Sequence, residues 1–113
     1  MEWTTSRQYP RFKAALAVEL RPEGASSPLR ARTADVCLGG CYVEMTYTQQ
    51  VSTEVDITLW IGETKIAARG VIVSSHPSFG NGIKFTHVAE EGREFLRRYL
   101  ESLHPFSRIV RRA

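Results

Sequence analysis

A chain of 113 residues has the length of one domain, and its 42% hydrophobic content is sufficient for one core. With 24% charged and 10% aromatic residues, the composition is that of a folded globular protein and excludes a chain that stays disordered. The net charge of +3 is carried mainly by arginine, whose guanidinium group can bind a phosphate or a guanine edge through two parallel hydrogen bonds.

The first elements along the chain are two predicted strands separated by a loop. Apolar and polar residues alternate from Phe12 to Leu20, and this period of two predicts a half-buried strand. The segment from Arg21 to Pro28 combines proline, glycine and serine, which is typical of a loop. A second strand is predicted over Leu29 to Ala34.

Four further strands are predicted after Gly39 and Gly40 break the chain. All four are short, are rich in β-branched or aromatic residues and are bounded by turn residues: Cys41–Met45, Val55–Ile61, Lys65–Val73 and Gly82–Phe85. The stretch from Ser74 to Asn81 reads as a loop because serine, proline, glycine and asparagine dominate it. Six short strands joined by turns predict a closed or nearly closed antiparallel barrel.

The period changes after about Ala89, where apolar residues recur at helical spacing from Phe95 to Leu103. Glu90 and Glu91 lie in the first turn of this predicted helix, where carboxylates suit the positive end of its dipole. The predicted fold is therefore mainly β, a six-stranded antiparallel barrel with one C-terminal α-helix.

Membrane and disulfide-scaffold classes are disfavoured. No apolar stretch approaches the roughly 20 residues that span a bilayer, and the N-terminus lacks the apolar segment of a signal peptide. We therefore expect no membrane insertion and a cytoplasmic location. Cys37 and Cys41 are the only cysteines, and in a chain with a credible core they are expected to be reduced thiols.

Two short motifs flank the first predicted hairpin. Arg7-Gln-Tyr-Pro-Arg11 is an RxxxR immediately before the first strand, and Asp35-Val-Cys-Leu-Gly-Gly40 lies between the second and third strands. The second motif resembles the [D/N]xSxxG signature of bacterial PilZ domains, and Gly82-Ile-Lys-Phe85 resembles the GxxF of their last strand. The resemblance extends from about Ser6 to Leu103.

The resemblance implies binding of cyclic di-GMP, a ligand on which the protein performs no chemistry. It divides the chain into a flexible N-terminal arm over 1–11, a barrel with its C-terminal helix over 12–104 and a basic tail over 105–113. No cofactor is expected, and an unidentified downstream protein is the expected partner. The implied ligand-binding residues are Arg7, Arg11, Asp35, Cys37, Gly39 and Gly40.

The chemistry of these residues suits such a ligand. Two guanidinium groups can hold phosphate oxygens or the O6 and N7 atoms of guanine, and can lie flat against a base. The carboxylate of Asp35 can accept hydrogen bonds from guanine N1–H and N2–H₂, and Gly40 lets the backbone turn tightly or approach the ligand closely. Cys37 departs from the signature serine, and because a thiol is a weaker donor than a hydroxyl, we expect reduced affinity rather than none.

Several other interpretations of the sequence remain. Asp35 and Gly39-Gly40 suit an ordinary hairpin turn. Cys37, Cys41 and the three histidines suggest a zinc site as another alternative, although the sequence has no second pair of ligands at the spacing that structural zinc usually requires. A PilZ-fold adaptor without nucleotide binding is the main alternative. Binding of RNA or single-stranded DNA through arginine, Trp3, Tyr9 and Trp60 is less favoured. No catalytic motif is present in the sequence, so an enzyme is not expected.

Overall fold

The computed structural model describes residues 9–103. Seven strands precede one helix in these residues, and their bounds are β1 Phe12–Lys13, β2 Ala17–Pro22, β3 Leu29–Cys37, β4 Gly40–Glu44, β5 Glu54–Ile61, β6 Thr64–His76, β7 Gly80–Val88 and α1 Glu90–Ser102. The strands form one sheet in which every pairing is antiparallel.

The sheet closes on itself. Around it the order is β3, β2, β5, β6, β7 and β4, and β4 pairs again with β3. The two-residue strand β1 pairs with the end of β3, beyond the part of β3 that β2 occupies. β1 and β2 are therefore two pieces of one predicted strand, and the prediction of a six-stranded antiparallel barrel with a C-terminal helix is confirmed.

The interior of the barrel follows the alternation seen in the sequence. Apart from Asn81, its largest fully buried side chains are aliphatic, and they come from β2, β3, β4, β5, β6, β7 and α1. Cys41 belongs to this core together with Val43, two residues further along β4, and both are 0% exposed. Leu96 and Leu100 of α1 are also buried in the core, whereas Phe95 remains 39% exposed, so the helix covers the barrel with only part of its predicted apolar face.

A break in the first predicted strand is repaired by one buried hydroxyl. The register between the first strand and β3 shifts by one residue between Lys13 and Ala17, which interrupts the ladder. The Thr33 Oγ1 atom accepts a hydrogen bond from the Leu16 N–H at 2.9 Å and donates one to the Ala14 carbonyl. A threonine that is 0% exposed thus satisfies two backbone groups that the bulge removes from the ladder.

We expect Thr33→Val to destabilise the fold. Valine has nearly the same shape but leaves the buried Leu16 N–H and Ala14 carbonyl without partners, at a cost of about 1–3 kcal/mol in the free energy of unfolding. Urea denaturation followed by circular dichroism measures this quantity, and Thr33→Ser, which retains the hydroxyl, should lose less. A valine variant as stable as the wild type would show that the hydroxyl does not support the bulge.

A second buried polar side chain fixes the loop between β4 and β5. The Asn81 carbonyl accepts a hydrogen bond from the Gln49 N–H at 2.8 Å, and its amide donates to the carbonyls of Gln49 at 2.9 Å and Ser74 at 3.1 Å. Asn81 was expected in a loop, but it lies in β7 because these bonds place its amide inside the barrel wall. β6 and β7 are consequently longer than the sequence pattern predicted.

Candidate functional site

The second sequence motif lies where β3 turns into β4. Asp35 and Cys37 are still part of β3, and only Leu38 and Gly39 form the turn, since Cys37 pairs with Gly40. Neither Gly39 nor Gly40 is among the described glycines with positive φ. The motif is therefore a strand end with a two-residue turn, and left-handed backbone does not explain its glycines.

Two rows of neighbouring residues cross the outer surface at this end of the barrel. In the first row, Lys13 pairs with Asp35, which pairs with Tyr42. In the second row, Cys37 pairs with Gly40, and Gly40 pairs with Lys84. Directly opposite residues in antiparallel strands point to the same face, with Cβ atoms about 5 Å apart. The rows thus combine a carboxylate, a phenol, a thiol and two ammonium groups on one surface.

Arg11 lies at the edge of this surface. It precedes β1 by one residue, so continuing the register of Lys13 with Asp35 brings it opposite Cys37. Burial raises the pKa of both Asp35 and Cys37, and the positive charge of Arg11 acts on both groups to reduce that rise. The structure therefore brings one arginine of the first motif to the carboxylate and the thiol of the second.

Asp35 is a half-buried carboxylate with spare acceptor capacity. Burial raises its pKa above the usual 3.8, and the charges of Arg11 and Lys13 oppose that shift. Its Oδ1 atom is shielded from solvent and accepts no hydrogen bond from any residue between 9 and 103. A buried oxygen without a donor is unfavourable by about 1–3 kcal/mol, so a donor delivered by a ligand would relieve it.

The thiol of Cys37 caps the turn. The backbone N–H groups of Gly39 and Gly40 lie within hydrogen-bonding reach of its sulfur. Burial nevertheless raises the pKa of Cys37, and these two amides and Arg11 only reduce the shift. Cys37 is thus a neutral thiol on the outer side of the barrel wall, in the place where a hydroxyl would make shorter bonds to the same amides.

The absence of a side chain at Gly39 leaves room for the ring of Tyr9, a residue of the first motif. A Cβ atom at Gly39 would lie 3.0 Å from Cδ2 of the Tyr9 ring, so a larger residue would push the ring away. The Tyr9 hydroxyl accepts a hydrogen bond from Arg93 of α1 at 3.2 Å, and the Arg93 guanidinium carbon lies 5.6 Å from the ring centroid. Tyr9 therefore links the first motif, the turn and the C-terminal helix.

Tyr42 is a site residue that the sequence analysis did not single out. Its ring packs against Gly80, and its hydroxyl shares a hydrogen bond of 3.0 Å with Nδ1 of His76. Burial and the nearby charge of Asp35 raise the pKa of Tyr42, so the phenol stays neutral. Only the pairing of β3 with β4 puts it beside Asp35, and alternation within β4 could show merely that it faces away from the core.

The remaining predicted residues fall into two groups. Arg7, Trp3 and His104 lie outside the described residues. The structure places the other five together at the β3–β4 turn: Arg11, Asp35, Cys37, Gly39 and Gly40.

The zinc interpretation receives no support within residues 9–103. Cys41 is buried in the core and Cys37 caps the turn outside it, both as free thiols. No three potential ligands among histidine, cysteine, aspartate and glutamate are grouped for a metal ion in this part of the chain. In the same part of the chain, no helix is long and apolar enough to cross a membrane.

The comparison with protein families gives a match that covers most of the chain. The PilZ domain family model matches residues 5–102, which includes both motifs and the C-terminal helix. No curated protein sequence matches the chain significantly.

Solved structures with the same fold include three chains, two of which are PilZ domains. The Bacillus subtilis inhibitor of motility, MotI, is 21% identical with a TM-score of 0.68, and the match covers 84% of this chain and 52% of MotI. The PilZ domain of CeSA from a cellulose-synthesizing bacterium is 22% identical with a TM-score of 0.66, covering 84% and 98%. The PilZ domain of Escherichia coli YcgR, solved with c-di-GMP, is 18% identical with a TM-score of 0.70, covering 91% and 95%. The chain thus spans about half of MotI and nearly all of the other two.

Proposed function

The chain belongs to the PilZ domain family, and on that premise we propose that it is a receptor that binds cyclic di-GMP and relays its presence to a downstream protein. The ligand lies on the outer surface at the β3–β4 turn, between Arg11 and the row that contains Asp35 and Tyr42. Nothing is done to the ligand chemically, so the protein acts as a receptor and not as an enzyme.

Asp35 is the observation that carries this proposal. Its carboxylate has a shielded oxygen that no described residue satisfies, and it lies beside the positive charge of Arg11. Guanine offers N1–H and N2–H₂ on one edge, and an ionised carboxylate is the acceptor that matches them. The guanidinium of Arg11 supplies the complementary interaction with a phosphate or with guanine O6 and N7.

Tyr42 adds a flat surface next to that acceptor. A guanine whose edge meets Asp35 has its face within reach of the neighbouring ring, and stacking on an aromatic side chain stabilises a bound base by about 1–3 kcal/mol. The bond to His76 and the contact with Gly80 hold the ring in place before the ligand arrives. Less conformational entropy is therefore lost on binding.

The relay to a partner rests on Tyr9. This residue belongs to the first motif and contacts both the turn at Gly39 and Arg93 on α1. A ligand that engages Arg11, two residues further along the chain, changes the surroundings of Tyr9 and gives a partner protein a differential contact between free and bound states.

The two other interpretations of the chain predict different binding behaviour. A PilZ-fold adaptor without nucleotide binding predicts no response to cyclic di-GMP. If the chain binds RNA or single-stranded DNA, its affinity should fall steeply as the salt concentration rises, because binding at many phosphates releases many counterions. A dinucleotide makes few phosphate contacts, so its affinity should depend only weakly on salt. Titration with cyclic di-GMP and with a single-stranded oligonucleotide at two salt concentrations separates the three.

We expect Cys37→Ser to keep or tighten binding of cyclic di-GMP. A serine hydroxyl can accept shorter hydrogen bonds from the Gly39 and Gly40 amides than the thiol does. It can also donate a stronger hydrogen bond to the ligand, and this bond contributes about 1 kcal/mol, or roughly fivefold in affinity. Calorimetric titration measures the change. Cys37→Leu, whose side chain is too large for the turn, should abolish binding. Serine and leucine variants with equal affinity would remove position 37 from the site.

A further inference from the structure

A cleft lies beside the β3–β4 turn, and Leu38 and Gly39 of the turn are part of its lining. It has a volume of about 240 Å³, and its polar lining includes Tyr9, Gly39, Lys84, His87 and Arg93. This is below the roughly 300–1,000 Å³ of pockets that enclose a whole drug-sized ligand, so the cleft suits one group of a larger molecule.

Positive charge lines this cleft without a neighbouring carboxylate. Lys84, Arg93 and the imidazole of His87 are part of the lining, and no aspartate or glutamate in the described part of the chain is. None of the three forms an ion pair with a residue between 9 and 103, whereas Arg97 and Arg98, further along α1, are paired with Glu94. Among residues 9–103, the side chain that contacts the Arg93 guanidinium through a hydrogen bond and its ring face is Tyr9, which offers no carboxylate to balance the charge. Such a cluster attracts an anion.

The cleft is continuous with the proposed nucleotide surface. Lys84 pairs with Gly40, which pairs with Cys37, and the Phe85 N–H donates to the Gly39 carbonyl at 2.8 Å. Arg11 falls opposite Cys37 in the extended register, so Arg11 and Lys84 stand at the two ends of one row. Three strand spacings place their backbones about 14 Å apart. The side chains of arginine and lysine are long, so the distance between the two charged groups can be shorter than the distance between the backbones. Gly40 carries no side chain that would separate them.

We propose that the cleft formed by Lys84, His87 and Arg93 is a phosphate-binding subsite, distinct from the one assigned to the arginines of the first motif. This inference rests on the proposed function in one respect: the phosphate is a phosphodiester of cyclic di-GMP, which has two such groups. One is held by the motif arginines and the other by the cleft. A separate inorganic anion has the same chemistry and is the alternative source of the phosphate.

Lys84→Gln tests the subsite with cyclic di-GMP. The substitution removes one charge on an exposed strand position, and we expect calorimetric titration to give an affinity about tenfold lower than that of the wild type. Lys65→Gln is the matched control, since Lys65 is also exposed and lies at the β5–β6 hairpin, opposite Trp60. Equal affinities in the Lys84 and Lys65 variants would overturn the assignment to the nucleotide.

Inorganic pyrophosphate tests the cleft independently of the nucleotide. In ¹H–¹⁵N spectra of the wild type and of Lys65→Gln, amides near Gly39 and from Lys84 to Val88 should shift with added pyrophosphate, and in Lys84→Gln they should not. If pyrophosphate causes these shifts but the protein does not bind cyclic di-GMP, the cleft is an anion site and the proposed function is wrong. Absence of these shifts together with unchanged nucleotide affinity in Lys84→Gln would reject the cleft as an anion site.

Discussion

Arg11→Ala is expected to weaken cyclic di-GMP binding by about ten- to hundredfold, because each charge-assisted hydrogen bond to the ligand contributes roughly 1.5–3 kcal/mol. Arg7→Ala, the other arginine of the RxxxR motif, should have a comparable effect, and the double variant should not bind measurably. Arg11 lies ahead of the first core strand and is only half-buried, so its removal should leave the barrel folded. Isothermal titration calorimetry measures the loss.

The control for this experiment is Arg21→Ala. Arg21 is an exposed residue of β2 that pairs with Asp56 of β5, on strands that take no part in the β3–β4 turn. The variant has the same net charge as Arg11→Ala and should bind with wild-type affinity. Thermal unfolding by circular dichroism should give similar midpoints for all variants. Wild-type affinity in both Arg7→Ala and Arg11→Ala would remove the first motif from the site.

Asp35→Ala is expected to reduce the affinity by about ten- to hundredfold through loss of the acceptor for the guanine edge. The wild-type affinity should also fall with decreasing pH, since protonation of Asp35 removes an acceptor and adds a donor. Burial raises the pKa of Asp35 above its usual value, so this fall begins at a higher pH than for an ordinary aspartate. Asp35→Asn, which keeps one acceptor, should retain part of the affinity and lose the pH dependence.

The same pKa shift has the opposite consequence for stability. A carboxyl group whose pKa is higher in the folded than in the unfolded state binds protons more tightly when folded, so its ionisation destabilises the fold as pH rises through that interval. Asp35→Asn should therefore unfold at the same temperature as the wild type or higher at neutral pH, despite its weaker binding. A marked loss of stability in Asp35→Asn would identify Asp35 as a structural residue and not a ligand acceptor.

Local patterns in the sequence were sufficient for much of the fold. Period-two alternation identified the buried positions of β2, β4 and β5, and the change to helical spacing identified α1. The bulge at Ala14 to Leu16 could not be predicted, because it depends on the hydroxyl of Thr33 on a neighbouring strand. The length of β7 was underestimated for a similar reason: Asn81 has the composition of a loop residue but is held inside the wall by the backbone of Gln49 and Ser74.

The candidate site shows the same division between local and cross-strand information. Arg11, Asp35 and Cys37 are recognisable from two short motifs that keep their order and spacing along the chain. Tyr42 and Lys84 belong to no motif, and their proximity to the turn follows only from the register of β3 with β4 and of β4 with β7. Strand register is set by the whole barrel, so neither residue could be assigned from its own neighbourhood in the sequence.

Calorimetric titration of the wild-type chain with cyclic di-GMP, with GMP as the comparison ligand, tests the central claim most directly. The account predicts saturable binding of cyclic di-GMP and much weaker binding of GMP, which lacks the second phosphate and the second base. Arg11→Ala should bind cyclic di-GMP about ten- to hundredfold more weakly than the wild type, whereas Arg21→Ala should bind it with wild-type affinity. A folded protein that shows no saturable binding of cyclic di-GMP up to about 1 mM, a binding free energy weaker than about 4 kcal/mol, would contradict the account.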